Sequence, residues 1–339
     1  MERESIVVSE VAIDDEATFR EYAAAEDGAW RAGRPHEPTI AWRERLAAFR
    51  ALQDTQAVLF VARDGESGPV VGAAQLMLPR MANTDLAHPT VLVPPEHRRR
   101  GVGAALGRAT LDRSRAEGRT RFVGEVIIPR GAQDSTDVAF ARSFGLRESY
   151  RDVRSELAVP IAPALDVELR AECEPHWEGY RFESYVNGVP DDLLTAYLTL
   201  DGLVEVDSPT GETDFEAEIA SPESYRRRTA VLVDAGLTLI ETVALDAHGE
   251  PVALNQLKVR ADPDAPVMQR GTYVHRAHRG HRLGLGVKLT GLAALAEQAP
   301  QTRVVRTWNA IDNAPMLAVN DRLGFVPLED MVSMIGELD

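Results

Sequence analysis

One cysteine, Cys173, stands in a chain of 339 residues, which excludes an internal disulfide and any zinc site built from paired cysteines. Basic residues are scarce, 37 against 53 acidic, for a formal net charge of −16. A general nucleic-acid binder is therefore not expected, because neutralising phosphates needs a basic surface. Long apolar runs are missing too. The longest nearly uncharged stretch, PVVGAAQLMLP at residues 69–79, is too short for a bilayer, which takes about 20 residues. The opening MERESIVVSE carries both signs of charge and no apolar core of a secretory signal, so a cytoplasmic protein with no membrane partner is expected. Both common phosphate-loop signatures are absent. Gly101, Gly103 and Gly107 leave one residue too many for G-x-G-x-x-G, and no Gly-Lys-Ser/Thr occurs in a P-loop context.

What is present is a chain long enough for two domains of about 150–200 residues, with 44% hydrophobic and 27% charged residues, able to bury real cores. The chain also repeats itself. VVGAAQL (70–76) and PVALNQL (251–257) share Val71/Val252, Gln75/Gln256 and Leu76/Leu257, each pair 181 residues apart. The same offset relates Val93/Val274, His97/His278, Arg98/Arg279 and Gly103/Gly284. This period is too long for a solenoid and points to a duplicated fold. Each half reads as a charged, helix-rich opening, a β-hairpin around a Gly-containing turn, and a short strand into a basic loop. An amphipathic helix, a strand, a short helix and a closing strand follow. The expected class is α/β with a mixed, mostly antiparallel sheet in each half. The expected domains are 1–160 and 165–339, divided near the Pro/Ala-rich AVPIAPALD at 158–166.

The basic loop carries the chemistry. HRRRGVGAALG (97–107) sets Arg98, Arg99 and Arg100 before the helix start Gly101-Val102-Gly103-Ala104. Unpaired N–H groups and a partial positive charge make a helix N-terminus a phosphate site, and small residues let the anion approach. Its counterpart, Arg279-Gly280-His281-Arg282-Leu283-Gly284, keeps the first Arg and the last Gly but has Arg282 for the middle glycine. A helix-start residue need not take a positive φ, so this loop is expected to bind phosphate as well.

The spacing Arg98-x-x-Gly101-x-Gly103 after the strand Val91-Leu92-Val93 resembles the central motif of the GCN5-related N-acetyltransferase (GNAT) superfamily. NAPMLAVNDRLGF (313–325) is similar to that family's later segment, and together these elements span most of both halves. The resemblance implies two tandem GNAT-like domains using acetyl-CoA without a metal. It also implies a small-molecule amine as acceptor and a monomer or homodimer. By the same resemblance the loop residues named above hold the pyrophosphate, and Val91, Val93, Thr272 and Val274 line the pantetheine and thioester. Asn309 and Asn313 fall on the cofactor side. The family's tyrosine acid is replaced by Asn320 in the second half and by Ala141 in the first.

The function expected is transfer of an acetyl group to a primary amine of a small molecule, cationic to match the negative field. A non-catalytic acetyl-CoA-binding module and an acyltransferase acting on a protein or peptide amine are the alternatives. An amine must lose a proton before it attacks, and Glu241, with Glu125 for the first half, is the candidate base. The acids from Glu172 to Glu223, including Asp191, Asp192, Asp207, Glu212, Asp214, Glu216 and Glu218, read as solvated surface or as a funnel for amines. His275, His278 and His281 read as loop residues, with no carboxylate beside them to complete a metal site. Trp30, Trp42 and Trp177 read as core or as acceptor pocket.

Overall fold

A computed structural model of the chain describes residues 5–34, 37–52, 54–207, 211, 216 and 219–338. In order these form β1 (Ile6–Val11), α1 (Glu16–Trp30), α2 (Trp42–Arg50), β2 (Thr55–Asp64), β3 (Val70–Pro79), β4 (Leu86–Leu92), α3 (Val102–Ala116), β5 (Arg121–Pro129), α4 (Thr136–Arg142) and β6 (Arg147–Ala158). The order repeats with α5 (Pro163–Cys173), β7 (Arg181–Val186), α6 (Asp191–Asp201), α7 (Leu203–Val206), α8 (Pro222–Asp234), β8 (Thr238–Leu245), β9 (Pro251–Val259), β10 (Val267–Val274), α9 (Leu283–Gln298), β11 (Val304–Ala310), α10 (Ala314–Leu323) and β12 (Val326–Glu337). The mixed α/β class and the repeat of hairpin, strand, loop and helix are as the sequence reads. The openings are not purely helical, however. β1 and β7 each add an antiparallel strand to the hairpin, pairing with β2 and β8. Their alternation of charge and apolar residues, IVVSEV and RFESYV, is too short to separate from the helical text around it.

Two compact units result, and they interleave along the chain. One comprises Met1–Val126, Asp134–Ser149 and Val332–Asp339, the other Ile127–Gln133 and Tyr150–Met331. Strands run in the order β1-β2-β3-β4-β5 in the first and β6-β11-β10-β9-β8-β7 in the second. All neighbours are antiparallel in these runs except β4 with β5 and β10 with β11.

In the first unit α1 starts at Asp15, whose carboxylate accepts from the Thr18 N–H, and it buries Phe19 and Tyr22 against Leu59, Val61 and Ala73 of the hairpin. Gly118, at φ +71°, follows α3 as the left-handed residue that stops it. In the second unit α9 brings Leu285, Leu289 and Leu295 onto Ile240, Leu257 and Val305. On a separate apolar cluster Tyr197 and Leu198 of α6 pack with Val243 and Leu254. The helix carrying the loop residues and the helix carrying Tyr197 are thus each held by their own patch of core.

The end of β12 closes the first unit. The Leu338 N–H donates to Thr120 O at 2.7 Å, and a Cβ built on Gly336 would lie 2.6 Å from the Phe122 ring. Overpacking such a contact costs about 1–3 kcal/mol. Gly336→Ala is expected to lower the melting temperature by several degrees in a calorimetric scan, and an unchanged midpoint would show that the Phe122 ring is free to move.

Candidate functional site

Both loops solve the same backbone problem. After β4 the chain turns through Pro95–His97 and reaches α3 with Arg99 at φ +62° and Gly101 at φ +89°. After β10 it turns through Arg276–His278 and reaches α9 with Gly280 at φ +86° and Arg282 at φ +55°. Each loop therefore has two left-handed residues, one Gly and one Arg, in opposite order. The expectation that Arg282 escapes a positive φ is wrong: the turn into the helix requires it, and a side chain there costs about 1–2 kcal/mol. Gly103 also differs from its expected purpose. A Cβ there would sit 3.2 Å from Phe140, so the position is bare to receive an aromatic ring.

The first helical N–H to find a backbone acceptor is that of Ala105, to Gly101 O at 3.0 Å; in the second loop it is that of Gly286, to Arg282 O at 3.2 Å. The N–H groups of Val102, Gly103 and Ala104, and of Leu283, Gly284 and Leu285, precede those bonds. They form two helix starts chemically suited to the phosphates of a coenzyme A ester. Val102 and Leu283 anchor these starts by burying their side chains.

The charges around the two loops differ. Arg98 Nε donates to Val93 O at 2.9 Å and Arg279 Nε to Val274 O at 3.3 Å, so the repeated arginine latches the loop to the last residue before it turns. Arg100 pairs with Asp64 at 2.5 Å, while Arg98 and Arg99 form no ion pair among the described residues. In the second loop Arg276 and Arg279 converge on Asp207, which also accepts from the Tyr273 hydroxyl at 2.6 Å. Glu172 bridges Arg282 and Arg322. The Arg276 hydrogen bond, ahead of the other contacts, holds the Asp207 carboxyl below the usual range. Asp207 is accordingly no solvated acid: its side chain is 6% exposed and built into the loop. Asp191 pairs with Arg226, and Glu212, Asp214 and Glu218 lie outside the described residues. His278 Nδ1 lies 3.0 Å from the Tyr180 hydroxyl, with the His281 ring also against Tyr180.

Between the parallel strands each unit opens. β4 pairs with β5 only at Leu86/Arg121 and Ala87/Phe122; β10 pairs with β11 only at Val267/Val305 and Met268/Arg306. Beyond those pairs the strands part. Val91, Thr272 and Val274 lie on the parted lengths, and Val93 directly follows the first. The two openings are unequal. β4 runs in unbroken register along β3, whereas β10 shifts register along β9 between Gln269 and Thr272, a bulge over Arg270 and Gly271. At matching positions the first half has His88, Pro89 and Thr90. Burial, ahead of repulsion from Arg119, pushes the His88 imidazole down to about 4.

Glu241 on β8 lies buried beside the bulge's partner strand. The Tyr197 hydroxyl donates to its carboxylate, and Gln256 Nε2 donates to Tyr197 Oη at 2.7 Å and to Asp201 Oδ1 at 2.8 Å. Gln256 Oε1 accepts from the bulged Gly271 N–H at 3.3 Å. Burial dominates the Glu241 carboxyl and raises it to about 7. The repeated glutamine pair now has a role: Gln75 Nε2 reaches Thr90 Oγ1 at 3.4 Å in the first half, as Gln256 reaches Gly271 in the second. Nothing in the sequence singles out Tyr197 or Asp201, because helical contact with a strand some forty residues away leaves no local signal.

The remaining candidates separate. Glu125 is exposed on β5. Counted from the Arg121 and Val305 pairings, it occupies the register position of Asn309. Asn309 Oδ1 accepts from Asn320 Nδ2 at 2.6 Å, and Asn320 Oδ1 accepts from Lys288 Nζ at 2.6 Å. Lys288 is 1% exposed, and that burial pushes its ammonium down to about 7. Asn313 is the cap of α10, accepting from the Met316 N–H at 3.3 Å. Trp30 donates to Glu37 at 3.3 Å, Trp42 lies under Arg20, and Trp177 packs on Phe182. Among the described residues no helix is long and apolar enough to cross a membrane.

Comparison with known proteins agrees with this geometry. Residues 18–145 match the model of the Acetyltransferase (GNAT) family. Mycothiol acetyltransferase of Mycobacterium sp. (strain MCS) is 30% identical over 268 residues, 78% of this chain and 79% of that protein. The solved tandem GNAT protein from the clavulanic acid biosynthesis pathway superposes with a TM-score of 0.76 at 27% identity, over 99% of each chain. A GCN5-related N-acetyltransferase from Sphaerobacter thermophilus shares the fold, with a TM-score of 0.67 at 15% identity over 100% of this chain and 96% of that one.

The raised Glu241 carboxyl gives a stability signature. Its favourable contribution is whole below about 4.5, where the unfolded carboxyl is also protonated, and fades until pH passes about 7. Glu241→Gln keeps a neutral side chain of the same shape. Its unfolding free energy relative to the native protein is expected to rise between pH 4.5 and 7, by on the order of 3 kcal/mol in all. Denaturant titrations across that range measure it; a flat difference would mean the native carboxyl ionises normally.

Proposed function

The chain belongs to the GNAT acetyltransferase family, in its tandem form, and from that membership we propose that it moves an acetyl group from acetyl-CoA to a primary amine of a small, cationic molecule. It is an acyl-CoA-dependent N-acyltransferase; the acetyl donor, the acceptor class and the division of labour between the halves are the proposal. One observation carries the choice of half. In the second, a buried carboxyl near neutrality is joined through Tyr197 and Gln256 to the bulged Gly271 on a parted strand.

The bound thioester supplies an activated acyl carbonyl. Within each half the helix start, at Val102 in the first and Leu283 in the second, is suited to hold the phosphates of an ester bound to that half. The parted length of β10 offers backbone groups with no β11 partner to the arm and to the carbonyl, where a fixed N–H stabilises developing negative charge. Glu241, once ionised, accepts the proton that the ammonium sheds, through Tyr197 or water, and the freed amine forms the new C–N bond as the C–S bond breaks. With Asn320 and Ala141 where the family's tyrosine stands, the second proton, which the nitrogen loses as the amide forms, reaches the departing thiolate through water, and the first leaves Glu241 for solvent. The cationic loop of the first half, where Arg98 and Arg99 form no ion pair among the described residues, favours a binding role there. Net charge −16 suits a cationic acceptor. The replaced tyrosines favour a second reading, a module that binds acyl-CoA without turnover.

A coenzyme A release screen over polyamines, aminoglycosides, amino acids, simple amines and peptides tests both readings. Amine-dependent release is expected, reduced at least a hundredfold by Glu241→Gln with loss of the ascending pH limb near 7. Arg279→Ala/Gly284→Trp is expected to abolish it, and Arg98→Ala/Gly103→Trp to leave turnover. Binding of acetyl-CoA with no release for any acceptor would establish the non-catalytic module, and loss only in the first-half variant would move the chemistry there.

A further inference from the structure

Lys288 is the one lysine found among the largest fully buried side chains, and the reaction as derived gives it no task. Its surroundings fix a direction. A lysine ammonium offers hydrogens and no acceptor, so below about pH 7, where Lys288 is charged, the Asn320 atom 2.6 Å from Nζ is the carbonyl oxygen. Asn320 then has only Nδ2 to present onward, and the Asn309 atom 2.6 Å from it must be Oδ1. That leaves Asn309 Nδ2, half-buried and without a protein acceptor among the described residues, as the free end of the chain. Asn309 stands on β11 three residues beyond its last pairing with β10, where the strands have parted. The Phe325 ring, 5.3 Å from Nζ, covers the lysine on another side and leaves Asn320 as its hydrogen-bond outlet.

The first half has lost every member. At the matching positions it carries Gly107, where a Cβ would strike the Phe144 ring at 2.5 Å, Ala141, and the exposed Glu125. A buried lysine is costly to keep for packing alone, since a methionine of similar volume fills the same space without desolvating an amine.

We propose that Lys288 is a positioning residue that sets the polarity of the Asn320 and Asn309 amides, so that Asn309 presents a hydrogen-bond donor to a carbonyl oxygen of acyl-CoA lying between β10 and β11. The inference rests on the reading that the second half binds acyl-CoA. While Lys288 is charged, the amide flips that ordinarily cost an asparagine little are opposed here by a donor-only group at the base of the chain, so the binding measurements are made at pH 6. Asn309 therefore enters the cleft with its orientation already chosen, and a ligand acceptor there loses no affinity to a competing rotamer.

Asn320→Asp separates this from a structural role. The aspartate keeps the bond to Lys288 and adds opposite charge, but it has no hydrogen to give. Asn309 must then turn Nδ2 towards it and Oδ1 towards the cleft. The full-length chain with Arg98→Ala/Arg99→Glu, which weakens the first loop, is the parent for calorimetric titration with acetyl-CoA. The aspartate variant is expected to melt within a few degrees of the parent and to bind acetyl-CoA about tenfold more weakly, about 1.4 kcal/mol. Should it fail to fold, Lys288→Met/Asn320→Leu removes the chain with apolar groups and is expected to weaken binding about threefold by freeing the Asn309 amide. A folded variant with parental affinity overturns the proposal. A parent that binds no acetyl-CoA instead overturns the second-half reading on which it stands.

Discussion

Two parallel strands that pair for two residues and then part are the constraint on which both halves depend. Parallel ladders are normally buried and continuous, since each peptide group needs its partner. Here β4 leaves β5 after Ala87 and β10 leaves β11 after Met268, so a row of backbone groups is left for something else to satisfy. The helix that follows each parted strand aims its own unpaired N–H groups from the adjoining loop. One break in the sheet thus leaves each half an opening lined by backbone groups without a strand partner, with a helix N-terminus at its mouth.

Around that common frame the halves have diverged in chemistry. The loop geometry is kept even to the two left-handed residues, with Gly and Arg exchanging places. The strand register is not kept: β10 bulges at Arg270–Gly271 where β4 runs straight through Pro89 and Thr90. At the positions around the parted strand the halves differ in polarity. The second half buries Glu241 and Tyr197 beside its bulge, with Asp201 half-buried next to them, and Lys288 and Asn320 behind β11; at the sites of Glu241, Lys288 and Asn320 the first half has Leu59, Gly107 and Ala141. Each such group costs desolvation, which is why an apolar residue is the default and the polar one calls for a task.

Charge follows the same division. The chain is strongly acidic, yet its acids are not spread evenly as a field. Asp207 and Glu172 are drawn into ion pairs with Arg276, Arg279, Arg282 and Arg322, which lowers the net charge of the second loop. Arg98 and Arg99 keep theirs. Two helix starts of nearly equal backbone therefore differ in their attraction for a polyphosphate.

The duplicated α/β architecture, the hairpins, the two loops and the helices behind them were legible in the sequence. They rest on short-range patterns: a constant offset, period-2 and period-3.6 apolarity, glycines at turns. The acyl-CoA chemistry was legible because Arg-x-x-Gly-x-Gly sits between a strand and a helix. Tertiary structure alone decided that β1 and β7 extend the sheets, that Arg282 takes a left-handed turn, and that Gly103 makes room for Phe140. It alone joined Glu241 to Tyr197, and Lys288 to Asn320 and Asn309. Those groups meet across tens of residues, and a hydrogen bond between elements leaves no periodicity along the chain; only folding, by burying both partners together, selects them.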